Sequence, residues 1–216
     1  MAMGGYVSMF KYVKSLEYPI NIKKKDMRMA RYIVTQYGGA NGELAAALRY
    51  LNQRYTMPDD KGKALLTDIG TEELGHVEMI CTMLYQLTKG ATVEELKKAG
   101  MDTFYAEHGP DTFPTDSNGV PFTASYFASV GDPLANISED MAAEQKARTT
   151  YDNILRFCDD YDVKDAIRFL REREVVHYQR FGENLRLLTD KLDEKNFYAF
   201  NPSFDKKCFK NCIKNK

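Results

Sequence analysis

The sequence predicts an all-α protein, a four-helix bundle with one long crossover connection and short terminal arms. All seven prolines lie outside four long stretches that carry helical periodicity. Proline inside a helix costs about 3 kcal/mol, so this placement favours one helix in each stretch. The second and third stretches are separated by a long segment rich in Gly, Pro, Asp and Ser. Two helix pairs joined by one long connection form a recurring type of bundle.

The four predicted helices are residues 26–56, 59–89, 138–158 and 162–191. Asp26 and Asp162 are suitable N-caps, because a carboxylate can accept the free backbone N–H groups of a first turn. Ser138 precedes two acidic residues, Glu139 and Asp140, that favour a third helix start. Gly90 is suited to end the second helix.

The segment between the second and third helices has a different character. Residues 93–98 predict a short helix, and residues 108–133 lack helical periodicity. A connection of that length is usually functional or a crossover, and one long crossover gives ferritin-like connectivity. We expect an N-terminal arm over residues 1–25, a ferritin-like domain over residues 26–191 and a C-terminal tail over residues 192–216.

Composition narrows the classes of function. Lys and Arg number 30 against 31 Asp and Glu, a net charge of −1 that gives no reason to expect a nucleic-acid partner. No apolar run approaches the roughly 20 residues that span a bilayer, and residues 1–14 lack a signal-peptide pattern. We expect synthesis in the reducing cytoplasm. In the lysine-rich tail, Cys208 and Cys212 could cross-link to a partner or remain free thiols.

Two of the predicted helices carry a polar interruption in an apolar stripe. Glu73 and His76 interrupt the second helix, and Glu174 and His177 interrupt the fourth. A Glu and a His three residues apart share one helix face and can reach one metal ion. We call the stripe of each helix that faces the other helices its seam. The other seam residues are Leu66, Ile69, Ile80, Met83 and Leu87 in the second helix, and Ile167, Leu170, Phe181, Asn184 and Leu188 in the fourth.

The first and third helices each add one carboxylate to the seam, Glu43 and Glu144. Buried carboxylates at one level need compensating positive charge, which a pair of divalent cations supplies. A lone Glu from two helices and Glu-x-x-His from two others is the ligand set of di-iron and di-manganese bundles. The pattern predicts two metal ions held by Glu43, Glu73, His76, Glu144, Glu174 and His177.

Internal symmetry supports this prediction. In both halves of the chain the lone glutamate precedes the Glu-x-x-His motif by 30 residues. A tyrosine follows each lone glutamate after seven residues, Tyr50 in the first half and Tyr151 in the second. Each tyrosine could hydrogen-bond a ligating carboxylate or simply pack in the core.

Other polar residues near the motifs compete for these roles. Glu72 is a rival to Glu73, because residues four apart also share a helix face with His76. The second motif carries Arg173 at the matching place, which favours Glu73. Glu78 and Glu172 are expected to be solvated or to contact the ligands from outside. His108, in the connection, is expected to be an ordinary surface histidine.

The donor types restrict the metal. Carboxylates with two imidazoles and no thiolate suit manganese or iron better than zinc or copper(I). Cys81 lies off the seam and Cys158 lies about 21 Å along the helix from Glu144, so neither is expected to ligate. A redox-active metal pair suits peroxide or dioxygen chemistry, and the ligands alone leave that choice open.

Several motifs agree in order and spacing with one known family. They are QYGGANGEL at 36–44, TEELGHVE at 71–78, MAAEQKAR at 141–148 and REREVVH at 171–177, with NGVPF at 118–122 and GDP at 131–133. This set resembles the manganese catalase family, and within it the spore-coat branch of CotJC-like proteins. The resemblance covers residues 18–188.

The resemblance implies disproportionation of hydrogen peroxide to dioxygen and water at a dimanganese centre, with two manganese ions per chain. Glu174 matches an acid that moves protons beside metal-bound solvent, although from the residues alone it could equally be a second bridge. Tyr50 matches a tyrosine next to the ligands, and Ala143 departs from an arginine found in some members. The residues that match the family's ligands, with Glu73 as the bridge, are Glu43, Glu73, His76, Glu144 and His177.

Two other functions remain open at this stage. A di-iron ferroxidase, iron store or oxygenase would use the same ligands, and metal content with catalase activity separates it from a manganese catalase. A structural spore-coat protein with a vestigial metal site is a different class, and the intact ligand set argues against it. We expect hydrogen peroxide as substrate, a homo-oligomer, and deposition in the endospore coat with other coat proteins as candidate partners.

Overall fold

A computed structural model describes residues 15–193 and has the all-α architecture that the sequence predicts. Cys208 and Cys212 lie outside this range. Within it there are seven α-helices, one 3-10 helix and no strand. The helices are α1 (Met27–Gly38), α2 (Glu43–Gln53), α3 (Asp60–Thr88), α4 (Val93–Ala99), α5 (Asp102–His108), α6 (Pro133–Phe157) and α7 (Tyr161–Asp193), and the 3-10 helix is Ala124–Phe127.

Two helix pairs form the bundle. The most extensive contacts join α2 to α3 and α6 to α7, and further contacts join α3 to α7 and α2 to α6. Because α1 and α2 follow each other along α3, they together occupy one of the four helix positions. The four-helix bundle with one long crossover is therefore confirmed.

The prediction of one helix over residues 26–56 is wrong, because the chain breaks after Gly38. A Cβ on Gly38 would lie 2.2 Å from the carbonyl carbon of Pro114, so the crossover backbone packs directly on this position. The helix restarts after Gly42, whose extended backbone (φ −93°, ψ 168°) forms the N-cap of α2. Glu43 is thus the first residue of α2 instead of a mid-helix residue. The positive end of the helix dipole favours its carboxylate.

Two predicted helix starts are also wrong. Helix α6 begins at Pro133, well before Ser138, because Asp132 caps it by accepting from the Ala135 backbone N–H. Proline at a first helical position loses no hydrogen bond, so it promotes this start. Helix α7 is capped by Asp160 and not by Asp162, since Asp160 Oδ1 accepts from the Asp162 backbone N–H at 2.9 Å.

The other signals for helix ends are confirmed. Asp26 caps α1 through the backbone N–H of Met29. Gly90 follows the end of α3 with φ 71°, a left-handed conformation that glycine adopts freely. The short helix predicted at residues 93–98 is α4, whereas α5 in the crossover was not predicted.

Arginines from the bundle hold the crossover in place. Arg49 on α2 is 3% exposed, and its guanidinium donates to the backbone oxygens of Phe127 at 2.9 Å and Tyr126 at 2.7 Å. Arg31 on α1 donates to the Ser117 backbone oxygen at 3.1 Å. The connection therefore covers the outside of the α1–α2 position.

The described part of the N-terminal arm packs on the bundle. Ile20 and Ile22 are buried in the core cluster beside α3. The Gln86 side chain accepts from the Ile22 backbone N–H at 2.6 Å and donates to the Ile20 oxygen at 3.1 Å. Residues 15–22 thus run as an extended strap along the bundle.

The apolar core has two parts. One cluster surrounds Ile33, Met83 and Leu170, and the other surrounds Leu66 and Phe181. The Glu and His side chains of the predicted metal site lie between these clusters. No helix in the described range is long and apolar enough to cross a membrane.

Candidate metal centre

Six titratable side chains from four helices meet in the middle of the bundle, and each is at most 2% exposed. Helices α2 and α6 supply one carboxylate each, and α3 and α7 supply the two Glu-x-x-His motifs. All of the residues predicted as ligands are therefore brought together. They are Glu43, Glu73, His76, Glu144, Glu174 and His177.

Glu73 lies at the centre of this cluster. Its Oε2 is 2.8 Å from His76 Nδ1, and its Oε1 is 2.7 Å from His177 Nδ1. The two imidazole rings are stacked, with centroids 5.7 Å apart. Glu43 Oε2 lies 3.7 Å from His76 Nδ1, and Glu144 Oε2 lies 3.6 Å from His177 Nδ1. The site is thus divided into two similar halves, one per histidine, with Glu73 shared.

The donor atoms form two overlapping groups, each compact enough to surround one ion. Within each group the candidate ligand atoms lie within 4.8 Å of one another. Glu73 and Glu174 belong to both groups, so both carboxylates lie between the two halves. The groups are Glu43, Glu73, His76 and Glu174, and Glu73, Glu144, Glu174 and His177.

Unpaired polar atoms indicate that this cluster suits cations. Within residues 15–193, Glu144 Oε2 and Glu174 Oε1 are buried and make no hydrogen bond. Burying such atoms costs free energy unless another group satisfies them. Carboxylate oxygens with two imidazole nitrogens and no thiolate fit manganese or iron. Cys81 and Cys158 are absent from both groups.

The electrostatics point in the same direction. Burial and the charge of Glu73 raise the pKa of Glu43 to about 8. Burial, with Glu43, Glu144 and Glu73 nearby, raises the pKa of Glu174 well above its ordinary value. Burial opposes a charge on His76, but Glu73 and Glu43 outweigh it and raise its pKa to about 10. The metal-free cluster therefore takes up protons that bound cations would displace.

Tyr50 and Tyr151 are fully buried and each donates its hydroxyl hydrogen bond across the bundle. Tyr50 on α2 bonds Glu144 on α6, and Tyr151 on α6 bonds Glu43 on α2. Each tyrosine thus orients the lone glutamate of the other half. The sequence spacing showed a tyrosine after each glutamate but could not show this exchange of partners.

Glu72, the rival to Glu73, lies outside the cluster. Its side chain is 16% exposed and pairs with Arg173, Nε to Oε1 2.5 Å. Burial raises the Glu72 pKa, but His177 and Arg173 outweigh burial and lower the pKa to about 2. Glu72 faces the Nε2 edges of the imidazoles, opposite to Glu73. The position of Glu73 inside the bundle supports the choice made from sequence.

The remaining candidates lie away from the donor atoms. Glu172 is exposed and Glu78 is half-buried on the bundle surface. His108 stacks on Phe113 in the crossover, with ring centroids 3.7 Å apart.

Glu17, in the N-terminal strap, lies 3.5 Å from His76 Nε2 and was not singled out from sequence. Helical periodicity says nothing about where a non-helical arm packs, so the sequence alone gave no signal that Glu17 lies near His76.

A small cavity lies beside Glu144 and Glu174. Its volume is about 10 Å³, the lower limit for one water molecule. Ala143 is 4% exposed and lines it. Small residues form part of the wall, Ala40, Gly42, Ala46 and Ala147, and the rest is formed by Asn41, Arg49 and Tyr50. The position where some family members carry arginine is therefore uncharged here, and the space next to Glu174 admits only a very small molecule.

Comparison with known proteins identifies one family. The family model described as "Manganese containing catalase" matches residues 9–213. Protein CotJC of Bacillus subtilis (strain 168) is 53% identical over 190 residues, which cover 88% of this chain and 100% of that protein. A probable manganese catalase of Clostridium acetobutylicum is 34% identical over 191 residues, covering 88% of this chain and 85% of that protein.

A solved structure agrees as well. KatB, a manganese catalase from Anabaena, superposes with a TM-score of 0.78 at 34% sequence identity, covering 84% of this chain and 81% of that chain. The range matched by the family model, residues 9–213, includes all four helix positions that carry the Glu and His cluster. The chain belongs to the family of manganese-containing catalases.

Proposed function

We propose that the protein is a non-haem catalase that disproportionates hydrogen peroxide to dioxygen and water with two manganese ions per chain. The observation that carries this proposal is the pair of overlapping donor groups, which share Glu73 and Glu174. Family membership supports manganese and peroxide, since several relatives are named as manganese catalases.

The residues suited to hold the metals divide into two sets. Glu43 and His76 would hold one ion, Glu144 and His177 would hold the other, and Glu73 would bridge them. When bound, such a pair supplies the two-electron redox capacity that peroxide disproportionation needs. Tyr50 and Tyr151 keep the lone glutamates oriented through their hydroxyl hydrogen bonds.

Glu174 is suited to hold and return protons. Oxidation of one peroxide to dioxygen releases two protons and two electrons, and reduction of another to two waters consumes both. A base must therefore store protons between the two half-reactions. Glu174 is 2% exposed, borders the small cavity, and has a buried Oε1 without a hydrogen bond from residues 15–193. Leu170 and Phe181 on the same helix are fully buried.

Metal analysis with an activity assay tests the proposal. Protein purified from manganese-supplemented cells should contain about two manganese ions per chain and should evolve oxygen from peroxide. His76→Ala and His177→Ala should each lower metal content, because each removes an imidazole and leaves surplus negative charge. His108→Ala is the matched control and should keep both ions. Full metal content in both ligand variants would refute the ligand assignment, and a dimanganese protein without oxygen evolution would refute the activity.

A di-iron carboxylate protein, such as a ferroxidase or oxygenase, is the second candidate. One observation favours it: Glu174 lies in both donor groups, as expected for a second bridging carboxylate in di-iron bundles. Under the catalase proposal, Glu174→Gln keeps both metals and loses most turnover, whereas Glu73→Gln disturbs the metal pair. Equal metal loss in the two variants would favour a bridging Glu174 and the di-iron function.

We also propose that the protein forms a homo-oligomer and is located in the spore coat. The 53% identity to CotJC suggests a spore-coat protein, in which an active site and a structural role are compatible. Exposed aromatic side chains such as Phe157 (62%) and Tyr161 (69%) would suit contacts within a homo-oligomer. Light scattering of the purified protein tests oligomerisation, and antibody detection in extracted coats of the source organism's spores tests location. A monomeric protein would refute the homo-oligomer, and absence of the protein from the coat would refute the location.

A further inference from the structure

The outer edges of the two imidazoles face a second set of charged side chains. Nδ1 of His76 and of His177 faces Glu73, so Nε2 of each ring points the other way. There, Glu72 Oε1 lies 3.2 Å from His177 Nε2 and 3.7 Å from His76 Nε2, and neither nitrogen makes a hydrogen bond within residues 15–193. Glu72 and Glu73 are consecutive residues of α3. The pair of stacked rings therefore lies between two adjacent carboxylates, one on the inner side and one on the outer side.

An arginine holds Glu72 in this position. Arg173 Nε on α7 lies 2.5 Å from Glu72 Oε1, the same oxygen that approaches both rings. The Glu72 side chain is only 16% exposed, so water screens this pair less than a surface pair. A charged hydrogen bond restricts the carboxylate rotamer and keeps its oxygen at the ring edges.

The N-terminal strap adds a second carboxylate on the same side. Glu17 Oε2 lies 3.5 Å from His76 Nε2. The neighbouring Tyr18 fixes the strap by stacking on Phe169, with centroids 4.6 Å apart, and by donating to Asp165 Oδ2 at 2.9 Å. Glu17 is about one-third exposed and farther from its ring than Glu72 is from His177. We therefore expect Glu17 to have the smaller effect.

An acceptor at Nε2 matters because an imidazole binds a metal through one nitrogen lone pair and carries hydrogen on the other nitrogen. A carboxylate at Nε2 favours the tautomer with Nε2–H. That tautomer leaves the Nδ1 lone pair directed at the cluster. Partners of this kind usually change metal affinity by about 10- to 100-fold.

We propose that Glu72, held by Arg173, is a positioning residue that fixes the Nε2–H tautomer and the orientation of His177, with His76 supported by Glu72 and Glu17 together. The proposal rests on the proposed function only in taking the two histidines as ligands. It concerns metal binding and requires no peroxide turnover, so a protein that binds manganese without evolving oxygen would still test it.

The main experiment measures Mn²⁺ affinity of metal-free protein by competition with a chelator. Glu72→Gln should weaken binding by about 10- to 100-fold, because the neutral amide can present its N–H groups to Nε2 and favour the wrong tautomer. Asp68→Asn is the matched control. Asp68 and Arg180 form another ion pair between α3 and α7, at 2.7 Å, that lies outside both donor groups. The control should change Mn²⁺ affinity by less than about twofold.

Spectroscopy separates a positioning role from a general structural one. With Zn²⁺ as a diamagnetic probe and ¹⁵N-labelled histidine, long-range ¹H–¹⁵N spectra should show both wild-type ligand rings as Nε2–H tautomers. Glu72→Gln should weaken that signal for His177, whereas Asp68→Asn should not. Wild-type affinity in Glu72→Gln to within about twofold, or equal losses in the two variants, would overturn the proposal.

A second variant, Arg173→Gln, tests the proposal even if Glu72→Gln does not fold. Arg173→Gln keeps the Glu72 carboxylate but releases it, so it should weaken Mn²⁺ binding in the same direction and by less than Glu72→Gln. Glu17→Gln should give a loss smaller than that of Glu72→Gln. If Glu72→Gln does not fold, wild-type Mn²⁺ affinity in a folded Arg173→Gln variant overturns the proposal.

Discussion

At the scale of single residues, the two tyrosines tie the halves of the site to each other. Tyr50 and Glu43 belong to α2, while Tyr151 and Glu144 belong to α6, and the hydroxyl bonds exchange partners between these helices. Each bond satisfies one oxygen of a lone glutamate and leaves the other oxygen directed at the cluster. The tyrosines therefore control both the orientation of a ligand and the approach of α2 to α6.

Removing either hydroxyl should have nearly the same effect. Tyr50→Phe and Tyr151→Phe keep the buried ring but leave a glutamate oxygen without its donor, which should cost about 1–3 kcal/mol. Manganese affinity should fall by roughly tenfold in each variant, because an oriented ligand becomes mobile. Chelator competition measures the affinity, and Tyr85→Phe, at an exposed position, is the control. A loss confined to Tyr50→Phe would contradict the exchanged pairing.

At the scale of elements, sequence predicted the helices best where helical spacing of the buried positions was long. Helix α3 was predicted within one residue at each end, because this spacing continues from Leu66 to Leu87 through the polar pair Glu73 and His76. The break before Glu43 could not be predicted, since it depends on the approach of the Pro114 backbone from a distant part of the chain. The start of α6 was missed because Pro133 was taken as a boundary instead of a first helical residue.

The close approach at Gly38 gives a prediction for this element. Gly38→Ala would place a Cβ against the Pro114 and Thr115 backbone at 2.2–2.3 Å, and backbone cannot move aside easily. We expect a loss of about 2–3 kcal/mol and a Tm lower by roughly 5–10 °C. The matched control is Gly75→Ala inside α3, where the nearest neighbouring atom is Glu17 Oε2 at an ordinary 3.5 Å.

The control should change stability in the opposite direction. Alanine in a helix interior is more stable than glycine by about 0.5–1 kcal/mol, so Gly75→Ala should leave Tm unchanged or raise it slightly. Circular dichroism melts of both variants at equal metal content measure the difference. Equal Tm values for the two variants would contradict the tight packing of the crossover on Gly38.

At the scale of the whole molecule, the meeting of the six Glu and His side chains was more predictable than the exact bounds of the helices that carry them. Glu73, His76, Glu174 and His177 were recognisable because polar residues interrupt apolar stripes twice at the same spacing. The strap residue Glu17 was not recognisable, because its approach to His76 depends on tertiary packing. The candidate ligands follow the local spacing of helices, whereas the position of Glu17 depends on contacts between distant parts of the chain.

The charge of the cluster makes the stability of the metal-free protein depend on pH in an unusual direction. Glu43 and His76 have folded-state pKa values of about 8 and about 10, above their ordinary values. Burial opposes protonation of His177, but Glu73 and Glu144 outweigh it and raise its pKa to about 12. A group with a raised pKa stabilises the fold below its unfolded pKa, and this contribution is lost as pH rises toward the folded value.

Metal-free protein should therefore become less stable as the pH rises from about 5 to about 9, because the folded state binds more protons than the unfolded state throughout this window. Manganese-loaded protein should show the opposite trend, since binding requires deprotonated ligands and its stabilisation grows with pH. Thermal melts at several pH values, with a chelator and with excess Mn²⁺, measure both curves. The two Tm curves should diverge as pH rises. A metal-free Tm that stays level or increases across this range would show that the folded cluster does not hold more protons than the unfolded chain.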